Sequence, residues 1–195
     1  MKRAVSNRRV LILCEGFTEE IYAKSLRGAY LSRLQQRNVA IEVVRHKKND
    51  PSNLILEAKK RIKEGRRQKQ QYTDVWLFFD NDNSPHLNAV FDEIVTYGIH
   101  HAYSSISIEF WFLLHFVNVG RAFSSNTECI NELKKHWPTY HKTKINHFRE
   151  LEPYLEIAIE RSKSLASKID LGDLSNTNPY TSVYKLVEFF KNLNK

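Results

Sequence analysis

The chain has 195 residues, of which 42% are hydrophobic and 12% aromatic, which suits one domain with an appendage. Its 30 lysines and arginines against 22 acidic residues give a formal net charge of +8, which favours a polyanionic partner such as DNA or RNA. The two cysteines, Cys14 and Cys129, exclude a disulfide framework and a zinc cluster. No signal-peptide core and no apolar run of membrane length is present, so we expect a cytoplasmic protein that does not enter a membrane.

Short apolar runs alternate with helical patterns in the first part of the chain. Strands are predicted over residues 10–14, 39–44, 75–79 and 99–104, and helices over residues 19–36, from residue 51 onward, and over residues 87–97. Thr18 and Asp50 are the predicted N-caps of the first two helices. This alternation predicts an α/β fold with a mostly parallel sheet of about four strands flanked by helices.

After residue 120 the strand pattern stops and only helical patterns follow. They cover residues 125–135, 151–168 and 182–193. We therefore predict an α/β domain over residues 1–120 and a helical C-terminal extension over residues 121–195 that packs on it.

Acidic residues follow two of the predicted strands. Glu15 comes directly after the first strand, and Asp80 and Asp82 follow the third. The carboxyl ends of neighbouring parallel strands meet at one edge of the sheet, where α/β proteins bind ligands, and Mg²⁺ prefers carboxylates together with water and phosphate. The alternative is a polar loop in which Asp82 or Ser84 caps the next helix, with Pro85 in its first turn.

Residues 106–117 are apolar almost throughout and predict a buried helix with two ionisable residues, Glu109 and His115. A buried carboxylate is costly unless it is paired or binds a metal, so Glu109 is a candidate additional metal ligand or a group that supports the ligands. On a helix Glu109 and His115 point about 120° apart, so they do not form a direct catalytic pair. For His115 a core histidine is favoured over a catalytic base.

Basic residues supply candidate contacts to nucleic acid. The loop around Tyr140 combines an aromatic ring with cations, as single-strand binders do, although an ordinary loop between helices has the same composition. The candidate nucleic-acid-binding residues are Lys47, Lys48, His141, Lys142 and Lys144.

Four segments occur in an order and spacing that carry a resemblance. They are Cys14-Glu15-Gly16, Phe79-Asp80-Asn81-Asp82, residues 104–116 and Asn178-Pro179-Tyr180-Thr181. Together they resemble the RloB-like family, whose genes accompany restriction and other phage-defence loci. The chain differs from the family pattern at Ser105 and Ile106, where the family has Asn and Pro.

The Glu-Gly after the first strand and the Asp-x-Asp after the third also resemble the Toprim domain of topoisomerases, primases and nucleases. The resemblance implies a Toprim-like fold and a nuclease that uses Mg²⁺ or Mn²⁺, with Glu15, Asp80 and Asp82 as metal ligands. Glu15 is also implied as a general acid or base, and Glu109 is a further catalytic candidate.

This chain has no Walker-type loop, so it does not hydrolyse ATP by that route. The resemblance separately implies a neighbouring ATPase as a separate polypeptide. Two alternatives stay open: a non-catalytic nucleic-acid-binding or adaptor subunit, and phosphotransfer on a small nucleotide. Neither the polymer nor the oligomeric state follows from the sequence.

Overall fold

The computed structural model describes residues 8–32, 39–47, 50–81, 84–143, 146–169 and 173–193. Four strands in these ranges form one parallel sheet with the order β2-β1-β3-β4. The strands are β1 Arg8–Cys14, β2 Val39–Arg45, β3 Asp74–Asp80 and β4 His100–Ser104. This confirms the predicted α/β fold with a parallel sheet flanked by helices.

The α-helices in the described residues are α1 Phe17–Tyr30, α2 Pro51–Arg67, α3 Leu87–Thr96, α4 Ile108–Leu113, α5 Asn126–His136, α6 His147–Leu151, α7 Leu155–Ala166 and α8 Val183–Asn192. No helix within the described ranges is both long and apolar enough to cross a membrane.

The predicted helix starts are partly right. Asp50 caps α2 by accepting a hydrogen bond from the Ser52 amide at 2.7 Å. The prediction for α1 is wrong, because Gly16 is the N-cap and Thr18 lies within the helix. Ser84 does not cap α3, which begins after His86. Helix α1 also ends earlier than the predicted residue 36, since its last residue is Tyr30 and Leu31 is its C-cap; residues 33–36 lie outside the described residues.

Alternate residues of the central strands pack into two separate hydrophobic cores, because successive side chains of a strand point to opposite faces of the sheet. Val10, Ile12 and Phe78 face a core shared with α1, α4 and the C-terminal helices. Leu11 and Leu77 face a second core shared with α2 and α3. Both faces of β1 and β3 are therefore buried, which is the arrangement expected for apolar runs without polar alternation.

Helix α4 is buried on all sides, as the apolar run predicted, but it is shorter than predicted. It ends at Leu113, and residues 114–116 form a turn. The C-terminal helices pack around it: α5 and α7 both contact α4, and α6 contacts α1. The helical C-terminal extension therefore covers one face of the sheet, while the predicted domain boundary near residue 120 stays a prediction.

The Asn178-Pro179-Tyr180-Thr181 segment lies along the outer side of β4. Thr181 forms an antiparallel bridge with Ser104, and the Ser105 amide donates to the Tyr180 carbonyl at 2.9 Å. The Ser105 hydroxyl in turn accepts from the Tyr180 amide at 2.8 Å. The segment thus covers the edge of the sheet with main-chain hydrogen bonds, and Ser105 serves this contact directly.

Thr181 offers a test of this edge contact. Its hydroxyl lies 3.0 Å from the Ser104 hydroxyl and accepts from the Val183 amide at 3.4 Å, all in the buried interior. Thr181→Val should lower the free energy of unfolding by about 1–3 kcal/mol, because buried polar groups lose their partner. Urea unfolding followed by circular dichroism measures the change.

The matched control is Thr177→Val. The Thr177 hydroxyl donates to the Asp173 carbonyl in an exposed loop, where water can replace it. We expect a loss below about 1 kcal/mol for this variant. Equal losses for the two variants would contradict the assignment of Thr181 to a buried contact.

Candidate carboxylate site

Two acidic side chains meet where β1 and β3 end. These strands are neighbours, with Cys14 paired to Phe78. The Glu15 amide donates to the Phe78 carbonyl at 2.9 Å, and the Asp80 amide donates to Glu15 Oε2 at 3.1 Å. The hydrogen bonds of the sheet therefore hold Glu15 beside Asp80, at the edge where α/β proteins bind their ligands.

A third carboxylate, Glu19, comes from the first turn of α1. It is buried, and its negative charge acts on Asp80. Its carboxylate lies directly against Gly16, where the Cβ of any other residue would collide with it. A larger residue at position 16 would therefore displace the Glu19 carboxylate, whereas the extended backbone there does not itself need glycine.

Sequence reasoning missed Glu19. Glu19 begins the helix predicted over residues 19–36, and an acid in the first turn of a helix is ordinary because the helix dipole favours it. Its spacing from Glu15 was the available signal. Glu19 comes four residues after Glu15, and four residues make about one helical turn. Because α1 begins between them, this turn brings the Glu19 carboxylate back to the side of Glu15.

The fourth carboxylate is Glu109, in the first turn of α4, and it is fully buried. Glu109 Oε1 accepts a hydrogen bond from the Tyr140 hydroxyl at 2.7 Å and lies 3.5 Å from Lys142 Nζ. The adjacent Ile108 amide donates to Asp80 Oδ2 at 3.1 Å. The start of α4 is therefore fixed to the end of β3 through Asp80. We call Glu15, Glu19, Asp80 and Glu109 the carboxylate cluster.

Burial and mutual repulsion govern the charges of the cluster. Burial raises the pKa of Asp80 well above its usual range, and the charges of Glu19, Glu109 and Glu15 raise it further. Burial also raises the pKa of Glu19 to about 7, with a further contribution from Glu109. These negative charges are therefore costly at neutral pH unless a cation or a proton compensates them.

Two carboxylate oxygens of the cluster lack a partner. Asp80 Oδ1 and Glu109 Oε2 are buried and accept no hydrogen bond from any residue that the structure describes. Buried carboxylate oxygens are normally hydrogen-bonded or bound to a metal. Their chemistry suits a hard divalent cation such as Mg²⁺, which takes oxygen ligands.

The described side chains do not form a complete metal centre by themselves. Within the described ranges, no three His, Cys, Asp or Glu side chains are grouped as a bound metal ion requires. The predicted ligand Asp82 lies outside the described residues. A metal at the cluster would therefore need Asp82 or a shift of the described carboxylates.

The loop between α5 and α6 covers the cluster. Tyr140 is only 5% exposed, and its hydroxyl donates a hydrogen bond to Glu109. The prediction of a stacking surface at Tyr140 is therefore wrong. The Lys142 carbonyl accepts from the Thr18 hydroxyl at 3.5 Å, while its half-exposed side chain reaches Glu109. His141 is exposed, and its carbonyl lies 3.0 Å from His147 Nε2.

The remaining candidates lie elsewhere. Lys47 is exposed in a groove beside Gly16. Lys48 and Lys144 lie outside the described residues. His115 is buried at the end of α4, where its Nδ1 lies 3.0 Å from the Trp111 carbonyl and its ring packs edge-on against the Trp111 indole. Burial lowers the pKa of His115 to about 3, which keeps it neutral in the core.

Repulsion within the cluster predicts that removing one charge stabilises the metal-free protein. At about pH 8 in EDTA, Asp80→Asn should raise the thermal unfolding temperature, because the amide oxygen can still accept from Ile108. A carboxyl group with a raised pKa binds its proton more tightly when folded, so its favourable contribution is present at low pH and is lost as the pH rises. The gain should therefore shrink toward about pH 5.

The control is Asp92→Asn, an exposed acid on α3. It should change the free energy of unfolding by no more than about 0.5 kcal/mol at either pH. A lower unfolding temperature for Asp80→Asn at the higher pH would show that the charge of Asp80 stabilises the fold.

The comparisons with known proteins identify the family. Residues 10–190 match the family model described as RloB-like protein, and this span includes all four carboxylates and the Thr181 segment. The curated proteins that were compared gave no match. Because the family model covers nearly the whole chain, the protein belongs to the RloB-like family.

Proposed function

We propose that the protein cuts phosphodiester bonds in nucleic acid with the help of Mg²⁺ or Mn²⁺, as a Toprim-type nuclease of a phage-defence system. The observation that supports this best is a pair of buried oxygens, Asp80 Oδ1 and Glu109 Oε2, that have no hydrogen-bond partner among the described residues and lie within a cluster of four carboxylates. A cation at this place would remove the repulsion that the cluster otherwise carries.

Glu15 and Asp80 are the proposed metal ligands, together with Asp82. A bound Mg²⁺ or Mn²⁺ would polarise the phosphate, lower the pKa of a bound water and stabilise the departing oxygen. Glu15 is held by the Asp80 amide, which orients its carboxylate toward the sheet edge. We assign it a second role as general acid or base, in line with the Toprim resemblance.

Glu109 and Lys142 complete the proposed site beside the metal ligands. Glu109 Oε1 is contacted both by the Tyr140 hydroxyl and by Lys142, whose side chain is 49% exposed. Lys142 therefore connects the buried cluster with solvent. Its ammonium group can pair with a phosphate oxygen of the substrate as readily as with Glu109. We propose it as the cation that holds the phosphate to be cut.

The net charge of +8 supports a polymer over a small nucleotide, because nonspecific attraction grows with the number of phosphates contacted. A separate ATPase partner remains part of the proposal through the family resemblance.

Cleavage of labelled single- and double-stranded DNA and RNA tests the proposal. Wild type is assayed with Mg²⁺, with Mn²⁺ and with EDTA, beside Asp80→Asn and the control Asp92→Asn. We expect metal-dependent cutting that falls by at least about 100-fold in Asp80→Asn, since even groups that only support metal ligands cost 10–100-fold. Asp92→Asn should cut like wild type.

The results of the cleavage assay distinguish the proposed nuclease from the alternative functions. Cutting that persists in Asp80→Asn would contradict the proposed site. A folded wild-type chain that cuts none of the four polymers would contradict nuclease activity of the chain alone and favour the adaptor or the small-nucleotide alternative.

A further inference from the structure

We propose that Phe17, Arg45 and Lys47 form a stacking groove for a single strand of nucleic acid next to the carboxylate cluster. This inference rests on the proposed function and deepens it by naming the form of the substrate. The groove lies between the start of α1 and the end of β2 and has a volume of about 690 Å³. That volume is sufficient for a nucleotide, since small-molecule sites span roughly 300–1,000 Å³.

The groove and the cluster share a wall at Gly16. This residue lines the groove, and the Glu19 carboxylate lies against it on the other side. The end of β2 is held beside β1 by a hydrogen bond of 2.9 Å from the His46 amide to the Cys14 carbonyl. The groove therefore borders Gly16, the residue that the Glu19 carboxylate of the cluster contacts.

Phe17 is an exposed aromatic residue at an unusual place. It is the first residue of α1, follows Glu15 and Gly16 directly, and is 42% exposed. The Arg45 guanidinium lies over one face of its ring, 5.1 Å from the ring centre. An exposed ring costs hydrophobic free energy, whereas it offers a face on which a base can stack.

The charges around Phe17 suit a phosphate backbone. Arg45, His46 and Lys47 line the groove, and Glu20 is its one acidic wall among the described residues. Glu20 is already opposed by two cations: Lys24 at 2.7 Å and Arg45 at 3.7 Å. The net charge around the Phe17 ring is therefore positive, and Lys47 adds a further positive charge to the groove.

The geometry favours a single strand over a duplex. Bases inside a duplex are stacked on their neighbours, so neither face is available to a protein ring, whereas an unpaired base can lie on an aromatic side chain. Tyr140, which contacts the cluster through Glu109, is buried and offers no such face. Phe17 therefore selects unpaired nucleotides beside the cluster.

Binding of fluorescent single- and double-stranded oligonucleotides tests this inference, and it is measured by anisotropy in EDTA so that cleavage plays no part. Phe17→Leu should weaken single-strand binding about 5- to 150-fold, the range expected for losing one stacked base. Duplex binding should change by less than roughly twofold, because it depends on backbone charge. Phe17→Trp, which retains a ring, should bind the single strand as tightly as wild type.

Tyr97→Leu is the matched control. Tyr97 is 46% exposed and has Lys59 Nζ at 4.9 Å from its ring centre, so it resembles Phe17 in exposure and in its neighbouring cation. It lies between α3 and β4, however, whereas the groove lies beside β2, the outer strand on the other side of the sheet. It should bind both oligonucleotides like wild type. Single-strand affinity unchanged in Phe17→Leu, or lost equally in Tyr97→Leu, would overturn the proposal.

The same variants keep this result separate from the proposed nuclease activity. Mn²⁺ should raise the unfolding temperature of Phe17→Leu as much as that of wild type, since Phe17 is not a metal ligand. A selective loss of single-strand binding with this response intact supports the groove even if no polymer is cut. Equal loss for single strand and duplex would refute the stacking role.

Discussion

The fold holds several carboxylates close together in a buried place, where their electrostatic repulsion is unfavourable. Hydrogen bonds of the sheet fix Glu15 and Asp80, and the first turns of α1 and α4 bring Glu19 and Glu109 to them. Repulsion and burial together oppose ionisation. Such strain is expected where a fold serves a bound cation or a reaction rather than its own stability.

The C-terminal part of the chain completes this site as well as the core. The loop between α5 and α6 brings Tyr140 and Lys142 to Glu109, so the charge that partly compensates the cluster comes from outside the strand-rich part of the chain. The Thr181 segment supports the same region from the edge of the sheet. It binds Ser104 and Ser105, directly before the helix that carries Glu109.

Much of the fold could be predicted because its signals are local. Apolar runs without polar alternation mark β1 and β3 as buried on both faces, and acids directly after them mark the edge where they meet. Glu19, Tyr140 and Lys142 could not be placed this way. Their roles depend on where a helix begins and on how a distant loop folds back, and Thr18 shows how a plausible capping residue can mislead. The stacking role predicted near Tyr140 failed for the same reason, since burial against Glu109 is a tertiary contact.

The most direct test of the account is a calorimetric titration of the metal-free protein with Mn²⁺, for wild type and for Glu19→Gln, Asp80→Asn and Lys142→Met. We expect saturable binding in wild type, loss of binding in Asp80→Asn, and weaker binding in Glu19→Gln. Lys142→Met should bind at least as tightly as wild type, because the competing cation is gone. Equal binding by wild type and Asp80→Asn, or no binding by folded wild type, would contradict the claim that the carboxylate cluster is a metal site.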